Sequence, residues 1–188
     1  STPIATLSIL EFAVANNVPV VIATTGFSEN ENILIEEYSK VIPIFKSANM
    51  SYETNLMISL VSKLAKELHN SDIEIVDVHH NQKIDSPSGT ALMIADSINS
   101  ALNNAMHYEF NRHNKRAPRD KKEIGIHSLR GGTEVGKHSV FFFGENESLE
   151  ISHTVTSRAV FANGALKAAE FIIGKPAGLY NMNDLINA

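Results

Sequence analysis

The stretch Val78-His79-His80-Asn81-Gln82-Lys83-Ile84-Asp85-Ser86-Pro87-Ser88-Gly89-Thr90 is the densest chemistry in the chain. Its two imidazoles can hold or give a proton near neutral pH. Lys83 adds a positive charge a few residues on. Ser88, Gly89 and Thr90 stand where a strand pattern gives way to a helix pattern. Backbone N–H groups at a helix N-terminus, helped by the helix dipole, cradle an anion. Gly89 lets a ligand come close to the backbone. Strand-to-helix junctions are where α/β proteins place ligands. The cluster therefore predicts a site for an anionic substrate that must be protonated. A plain helix cap with two solvated histidines is the bland alternative, and the clustering argues against it.

Rival chemistries fare worse. Adjacent side chains on a strand point to opposite faces, so His79 and His80 are not expected to share a metal. No H-E-x-x-H occurs, and His127, His138 and His153 are scattered over strand patterns that would meet only by accident of folding. No metal is expected. Gly131-Gly132-Thr133-Glu134-Val135-Gly136-Lys137-His138 approaches a phosphate-binding loop, but His138 replaces the hydroxyl that holds magnesium, and a strand pattern follows instead of a helix. It reads as a hairpin turn. The basic run 111–122 lacks interleaved aromatics and reads as a solvated loop that steers an anionic substrate. No G-x-G-x-x-G occurs in the sequence.

Composition narrows the field further. A chain of 188 residues, 43% hydrophobic and 20% charged, buries a core without disulfides. The absence of cysteine excludes thiol nucleophiles and thiolate zinc sites. Sixteen basic against twenty-one acidic side chains argue against nucleic acid as partner. No apolar run reaches the ~18–20 residues of a membrane helix, and no targeting peptide is visible. A cytoplasmic protein is expected.

The elements that must position the cluster follow from periodicity. A helix is expected from Pro3 to about Asn16, then a strand at Pro19–Thr24. Ser28 and Glu31 form a capping box for the next helix, and a strand covers about Val41–Lys46. Strands alternating with helices imply a parallel sheet. Two strands are few for such a sheet, so part of a domain is expected to be missing. A helix over 53–69 and a strand over Ile73–His80 lead to the cluster, and Ser88 opens a helix toward Leu102. Strands at Glu123–Leu129, His138–Gly144 and Leu149–Thr156 predict a largely antiparallel sheet, and a last helix spans Phe161–Ile173. Val140–Phe143 is apolar on both faces, which predicts a buried sheet or a subunit interface.

The segment from His79 to Ala91 resembles the signature of the dihydrodipicolinate reductase family. Further pieces follow in that family's order: Ser1-Thr2-Pro3, Ala23-Thr24-Thr25-Gly26-Phe27, Ser47-Ala48-Asn49-Met50-Ser51, Ile124-Gly125, Arg130-Gly131-Gly132, Thr156-Ser157-Arg158 and Phe161-Ala162-Asn163-Gly164-Ala165. The resemblance implies a remnant of a Rossmann-like nucleotide-binding domain at 1–50, lacking its glycine-rich first part. It implies a substrate-binding and oligomerisation domain at 51–155 with an open, mainly antiparallel sheet. Residues 156–188 then return to the first domain.

The resemblance also implies a reaction. NADH or NADPH gives hydride to a cyclic, unsaturated dicarboxylate in the diaminopimelate route to lysine. It makes His79 the acid/base group and Lys83 a proton donor. His80, Ser88, Gly89, Thr90 and Arg158 hold substrate. Ala23, Thr24, Thr25, Ser47, Ala48, Asn49 and Met50 touch the nicotinamide side of the cofactor, and the protein is a homotetramer. Two departures stand out: Ala23 and Glu53 occupy places that are usually Gly. The competing expectations are a truncated, oligomerising dicarboxylate-binding module without turnover, and a metal-dependent hydrolase built on the histidines.

Overall fold

The computed structural model describes residues 2–188. The chain divides into two compact units, one of residues 1–55 with 159–188 and one of residues 56–158.

In the first unit, Thr2 caps helix α1 (Pro3–Ala15), with Pro3 at its first turn, where a missing N–H costs nothing. Strand β1 (Val20–Ile22) is followed by helix α2 (Glu29–Ser39). Ser28 and Glu31 close the expected capping box, an arrangement that stabilises by about 1 kcal/mol. Strand β2 (Pro43–Lys46) pairs with β1 in parallel. Helix α3 (Tyr52–Glu67) begins in this unit and continues into the second. Helix α5 (Ala159–Ile172), strand β8 (Gly178–Tyr180) and helix α6 (Met182–Ile186) complete the first unit. The last residues, expected as a short tail, instead supply β8 as a third parallel strand against β2, in the order β1-β2-β8. Leu10, Ile22, Ile35, Ile42 and Ile44 fill one side of this sheet, and Phe45, Met50, Ala168 and Ile172 the other.

The second unit is built on strand β3 (Asp72–His79). Helix α4 (Gly89–Ala101), strand β4 (His107–Glu109), a 3-10 turn at Arg112–Asn114 and strands β5 (Glu123–Arg130), β6 (Gly136–Phe143) and β7 (Ser148–Val155) follow. The order is β4-β5-β3-β6-β7. The β4–β5 and β5–β3 pairs are parallel, whereas β3–β6 and β6–β7 are antiparallel. The sheet is therefore mixed, which corrects the expectation of a mainly antiparallel one. Periodicity reports which residues form a strand but not which neighbour it takes.

Alternation along β3 puts Ile73 and Ile75 on the face covered by the helices. There they pack with Ile124, Ile126, Val140, Phe142 and the α4 residues Ile94 and Ile98. Fully burying one such side chain stabilises by about 1.5–3 kcal/mol. The opposite face carries Phe141, stacked on the partly exposed Phe143 with centroids 5.7 Å apart, and the exposed Leu129.

One loop differs from expectation, and another does more than expected. Because β3 lies between β5 and β6, residues 131–135 form an arch over the end of β3, not a hairpin turn. His80 N donates to Glu134 O at 2.7 Å and Gly131 N to His79 O at 2.9 Å. The basic run is mostly solvent-exposed, as expected of a solvated loop, but its Arg112 and Arg119 also strap the opposite end of the sheet. Arg119 donates to Glu74, Asp72 and the Ile73 carbonyl, and Arg112 pairs with the buried Glu123.

Candidate active site

The carboxyl end of β3 carries Asp77 and His79 on the helix-covered face. Cross-strand register decides what meets them. Asp77 lies opposite Ser128 of β5 and His138 of β6, and His138 lies opposite His153 of β7. His79 lies opposite Arg130. On its other side is Gly136, where an added Cβ would sit 3.2 Å from His79 Nε2, so the glycine leaves room for the imidazole. The His79 and His138 rings meet edge to face at 5.3 Å between centroids.

Asp77 is fully buried and well supplied with donors. The Ser128 hydroxyl and the Ser88 backbone N–H donate to it, the latter at 3.3 Å, and Arg130 Nη2 stands 3.2 Å from Oδ2. Burial alone raises the pKa of this carboxyl. Ser128, Arg130 and Ser88 outweigh it and hold the group below the usual carboxylate value. His79 Nδ1 lies 3.1 Å from the same Oδ2 without forming a hydrogen bond. Burial is the main cause that lowers the His79 pKa; Asp77 opposes it, and Lys83 and Arg130 add to the lowering. Burial, and next the neighbouring His79, push His138 down to about 4. Both imidazoles are thus neutral at neutral pH.

The loop from His80 to Ser88 is tied back to this network. Arg130 Nη2 donates to Asp85 O at 2.7 Å, and Lys83 Nζ pairs with Asp85 Oδ1 at 2.8 Å. Ser88 caps α4: its hydroxyl accepts from Ala91 N at 3.1 Å and lies 3.1 Å from His138 Nε2. Gly89 is exposed at the first position of α4, with Thr90 half-buried beside it. His79, Lys83, Ser88, Gly89 and Thr90 are therefore gathered at one junction of strand and helix. Arg158 is exposed beyond the end of β7, and among the described residues no hydrogen bond or ion pair joins it to this network.

Asp77, Arg130, Gly136 and His138 were not singled out as site residues from the sequence. Asp77 does carry a signal: it interrupts the apolar phase Ile73, Ile75 two residues before His79. The convergence of His138 on His79 corrects the expectation that scattered histidines would meet only by accident. Donor atoms of Asp77, His79 and His138 lie within 4.8 Å of one another, close enough to raise a metal again. The surroundings argue otherwise. Arg130 shares the Asp77 oxygen and repels a cation, and Ser88 engages His138 Nε2.

Comparison with known proteins gives this geometry a family. Residues 1–50 match the model described as dihydrodipicolinate reductase, N-terminus, and residues 54–186 the one described as dihydrodipicolinate reductase, C-terminus. The chain belongs to the dihydrodipicolinate reductase family. The 4-hydroxy-tetrahydrodipicolinate reductase of Caldanaerobacter subterraneus subsp. tengcongensis is 55% identical over 95% of this chain and 71% of its own length. The enzyme of that name from Brachyspira hyodysenteriae is 49% identical over 95% of this chain and 77% of its own. A dipicolinate-bound dihydrodipicolinate reductase from Paenisporosarcina sp. TG-14 superposes with a TM-score of 0.80 at 25% identity, covering 97% of this chain and 71% of that one.

For a dihydrodipicolinate reductase, the loops expected to meet a nicotinamide follow β1 and β2. Both are at carboxyl ends of parallel strands, where open α/β sheets take ligands. Ala23, Thr25 and Ala48 are exposed there. Thr24 turns inward to Thr6, with hydroxyls 2.9 Å apart. Ser47 Oγ and Asn55 Nδ2 both donate to Asn49 O, and Asn49 Oδ1 accepts from Ser51 N. Met50 is buried against α5, and Gly164 is why it fits: a Cβ there would sit 1.6 Å from Met50 O. Hydrogen bonds within the chain thus hold both loops in place, with Ala23, Thr25 and Ala48 left open to a ligand. Glu53 is exposed in the first turn of α3, where the helix dipole favours a carboxylate. With Lys167 and Tyr52 it lines a cleft of about 140 Å³.

Proposed function

We propose that this chain converts 4-hydroxy-tetrahydrodipicolinate to tetrahydrodipicolinate, an oxidoreductase step of lysine biosynthesis, with NADH or NADPH as reductant. The observation that carries this reading is the buried His79 at the end of β3, with Lys83 on the loop that follows and the N-terminus of α4 closing that loop. A reduced nicotinamide, when bound, supplies hydride. The exchange is balanced by one hydride and one proton added and one water lost.

The chain's own residues handle the dicarboxylate and the proton. The α4 N-terminus, through the backbone of Gly89 and Thr90 with His80 alongside, takes one substrate carboxylate by hydrogen bonds and helix dipole. The Lys83 ammonium, paired to the exposed Asp85, stands on the same loop to donate a proton as charge builds in the ring. His79 acts as acid/base group and is held by Asp77 and the edge of His138. Arg158 is assigned a supporting role toward substrate. Ala23, Thr24, Thr25 and Ser47–Met50 would hold the nicotinamide side of the cofactor.

The open sheet face with Phe141, Phe143 and Leu129 supports assembly into a homotetramer, which sedimentation velocity tests. Among the described residues no helix is long and apolar enough to cross a membrane; a place in lysine biosynthesis is what supports our assignment to the cytoplasm. A second reading, a dicarboxylate-binding module without turnover, rests on the α4 N-terminus, which can take a carboxylate without any cofactor.

One experiment separates the readings. NADH and NADPH are titrated by fluorescence with and without pyridine-2,6-dicarboxylate, and reductase activity is assayed on the same protein. Cofactor binding strengthened by the dicarboxylate, with turnover, is expected. Dicarboxylate binding without turnover establishes the module, and failure to bind the dicarboxylate overturns the substrate assignment.

A further inference from the structure

We propose that His138 is a positioning residue for the reaction, a link that fixes the acid/base imidazole of His79 and the anion cradle of α4 in one frame. This inference rests on the reading that His79 and the α4 N-terminus serve one substrate.

Three contacts carry it. His138 lies directly opposite Asp77 in the strand register, so its ring rises from β6 onto the face where β3 presents His79. The two rings meet edge to face at 5.3 Å and 73°, an arrangement that sets the tilt of the His79 ring. On its far side, His138 Nε2 stands 3.1 Å from Ser88 Oγ. That hydroxyl accepts the Ala91 N–H as the cap of α4 and shares a hydrogen bond with the imidazole nitrogen. His138 thus touches both parts that must agree in position, the proton-handling ring and the first turn of the anion-binding helix.

Burial gives the link its stiffness. His138 is 5% exposed and His79 8%, and Gly136 beside them supplies no side chain to hold the His79 ring. Asp77 constrains the ring from one side only, through Oδ2 at 3.1 Å from Nδ1. Remove His138 and the imidazole loses the ring packed edge to face against it, while the Ser88 hydroxyl loses its buried hydrogen-bond partner.

The test uses the whole chain with His138→Gln and His138→Leu. Glutamine keeps a polar atom within reach of Ser88; leucine keeps volume and loses polarity. Two readouts are taken on protein shown to be folded by circular dichroism. In ligand-free long-range 1H–15N spectra, the His79 ring keeps one tautomer pattern in the wild type and in His138→Gln, and it becomes averaged in His138→Leu. The Kd for pyridine-2,6-dicarboxylate rises about tenfold in His138→Leu, the worth of one buried hydrogen bond, and less than about twofold in His138→Gln. Unchanged spectra and Kd in His138→Leu overturn the proposal. So does a glutamine variant as impaired as the leucine one. If the wild type does not bind the dicarboxylate, the substrate reading fails, and the His79 spectra alone still decide the role of His138.

Discussion

Strand β3 anchors two clusters, each of a carboxylate, a guanidinium and an imidazole. On the helix-covered face, Asp77 meets Arg130 at 3.2 Å and His79 at 3.1 Å. On the open face, Glu74 meets Arg119 at 2.9 Å and His127 at 2.8 Å. Each leans on a glycine in the neighbouring strand: Gly136 beside the His79 ring, and Gly125 beneath the Glu74 carboxylate. Surroundings separate them. The Asp77 and His79 side chains are 0% and 10% exposed, the Glu74 and His127 side chains 18% and 41%. His127 makes a straightforward hydrogen bond to Glu74, whereas His79 is left with an unpartnered nitrogen. The first cluster lies at the carboxyl end of β3 next to a helix N-terminus, and the second ties strands and the 119–123 strap together. Composition alone does not tell a site from a clamp; desolvation and an adjacent anion cradle do.

The largest expected effect contrasts the two histidines. With NADPH oxidation as readout, His79→Gln and Lys83→Ala each lower kcat by about 10²–10⁴-fold, the usual contribution of a general acid or base. His127→Ala leaves kcat within about twofold. A comparable loss in His127→Ala breaks the distinction between the clusters.

The two glycines sharpen it. Gly136→Val crowds the His79 ring and lowers kcat by at least about tenfold. Gly125→Val forces the Glu74 carboxylate off Arg119 and His127, and it costs ~2 kcal/mol in urea unfolding with kcat little changed. Interchanged outcomes would assign the chemistry to the wrong face.

Acid should weaken the site cluster first. The unfolded chain protonates His138 near its ordinary value of 6.5, while the folded chain resists until about 4. The unfolded state therefore binds more protons across that window, and unfolding free energy falls by ~3 kcal/mol from about pH 6.5 to 4. His138→Gln removes most of that slope. A wild-type stability that stays flat over this range excludes a neutral, buried His138. The smallest effect belongs to the cradle's rim: Thr90→Val raises KM for substrate by about three- to tenfold with kcat nearly unchanged, and an unchanged KM reduces Thr90 to a helix-start residue.

Local signals in the sequence carried far. Ser28 with Glu31 and Ser88 before α4 announce helix starts because capping is settled within four residues. Alternation places Ile73, Ile75 and His79 on one face because side chains on a strand reverse at every step. The histidine–lysine–serine–glycine stretch declares its chemistry because its members are neighbours in the chain.

What the sequence left open is non-local. The insertion of β3 between β5 and β6 turned an expected hairpin into an arch over the site and a mainly antiparallel sheet into a mixed one. Strand β8 closed a sheet that local reading had left with two strands. The partners of His79 come from 51 to 59 residues away, as Arg130 and His138, and only strand register brings them to it. From the sequence alone came the elements, their buried faces and the residues able to move a proton or hold an anion. Folding chose which of those residues share a dry pocket, because pairing and desolvation depend on neighbours that the chain order does not name.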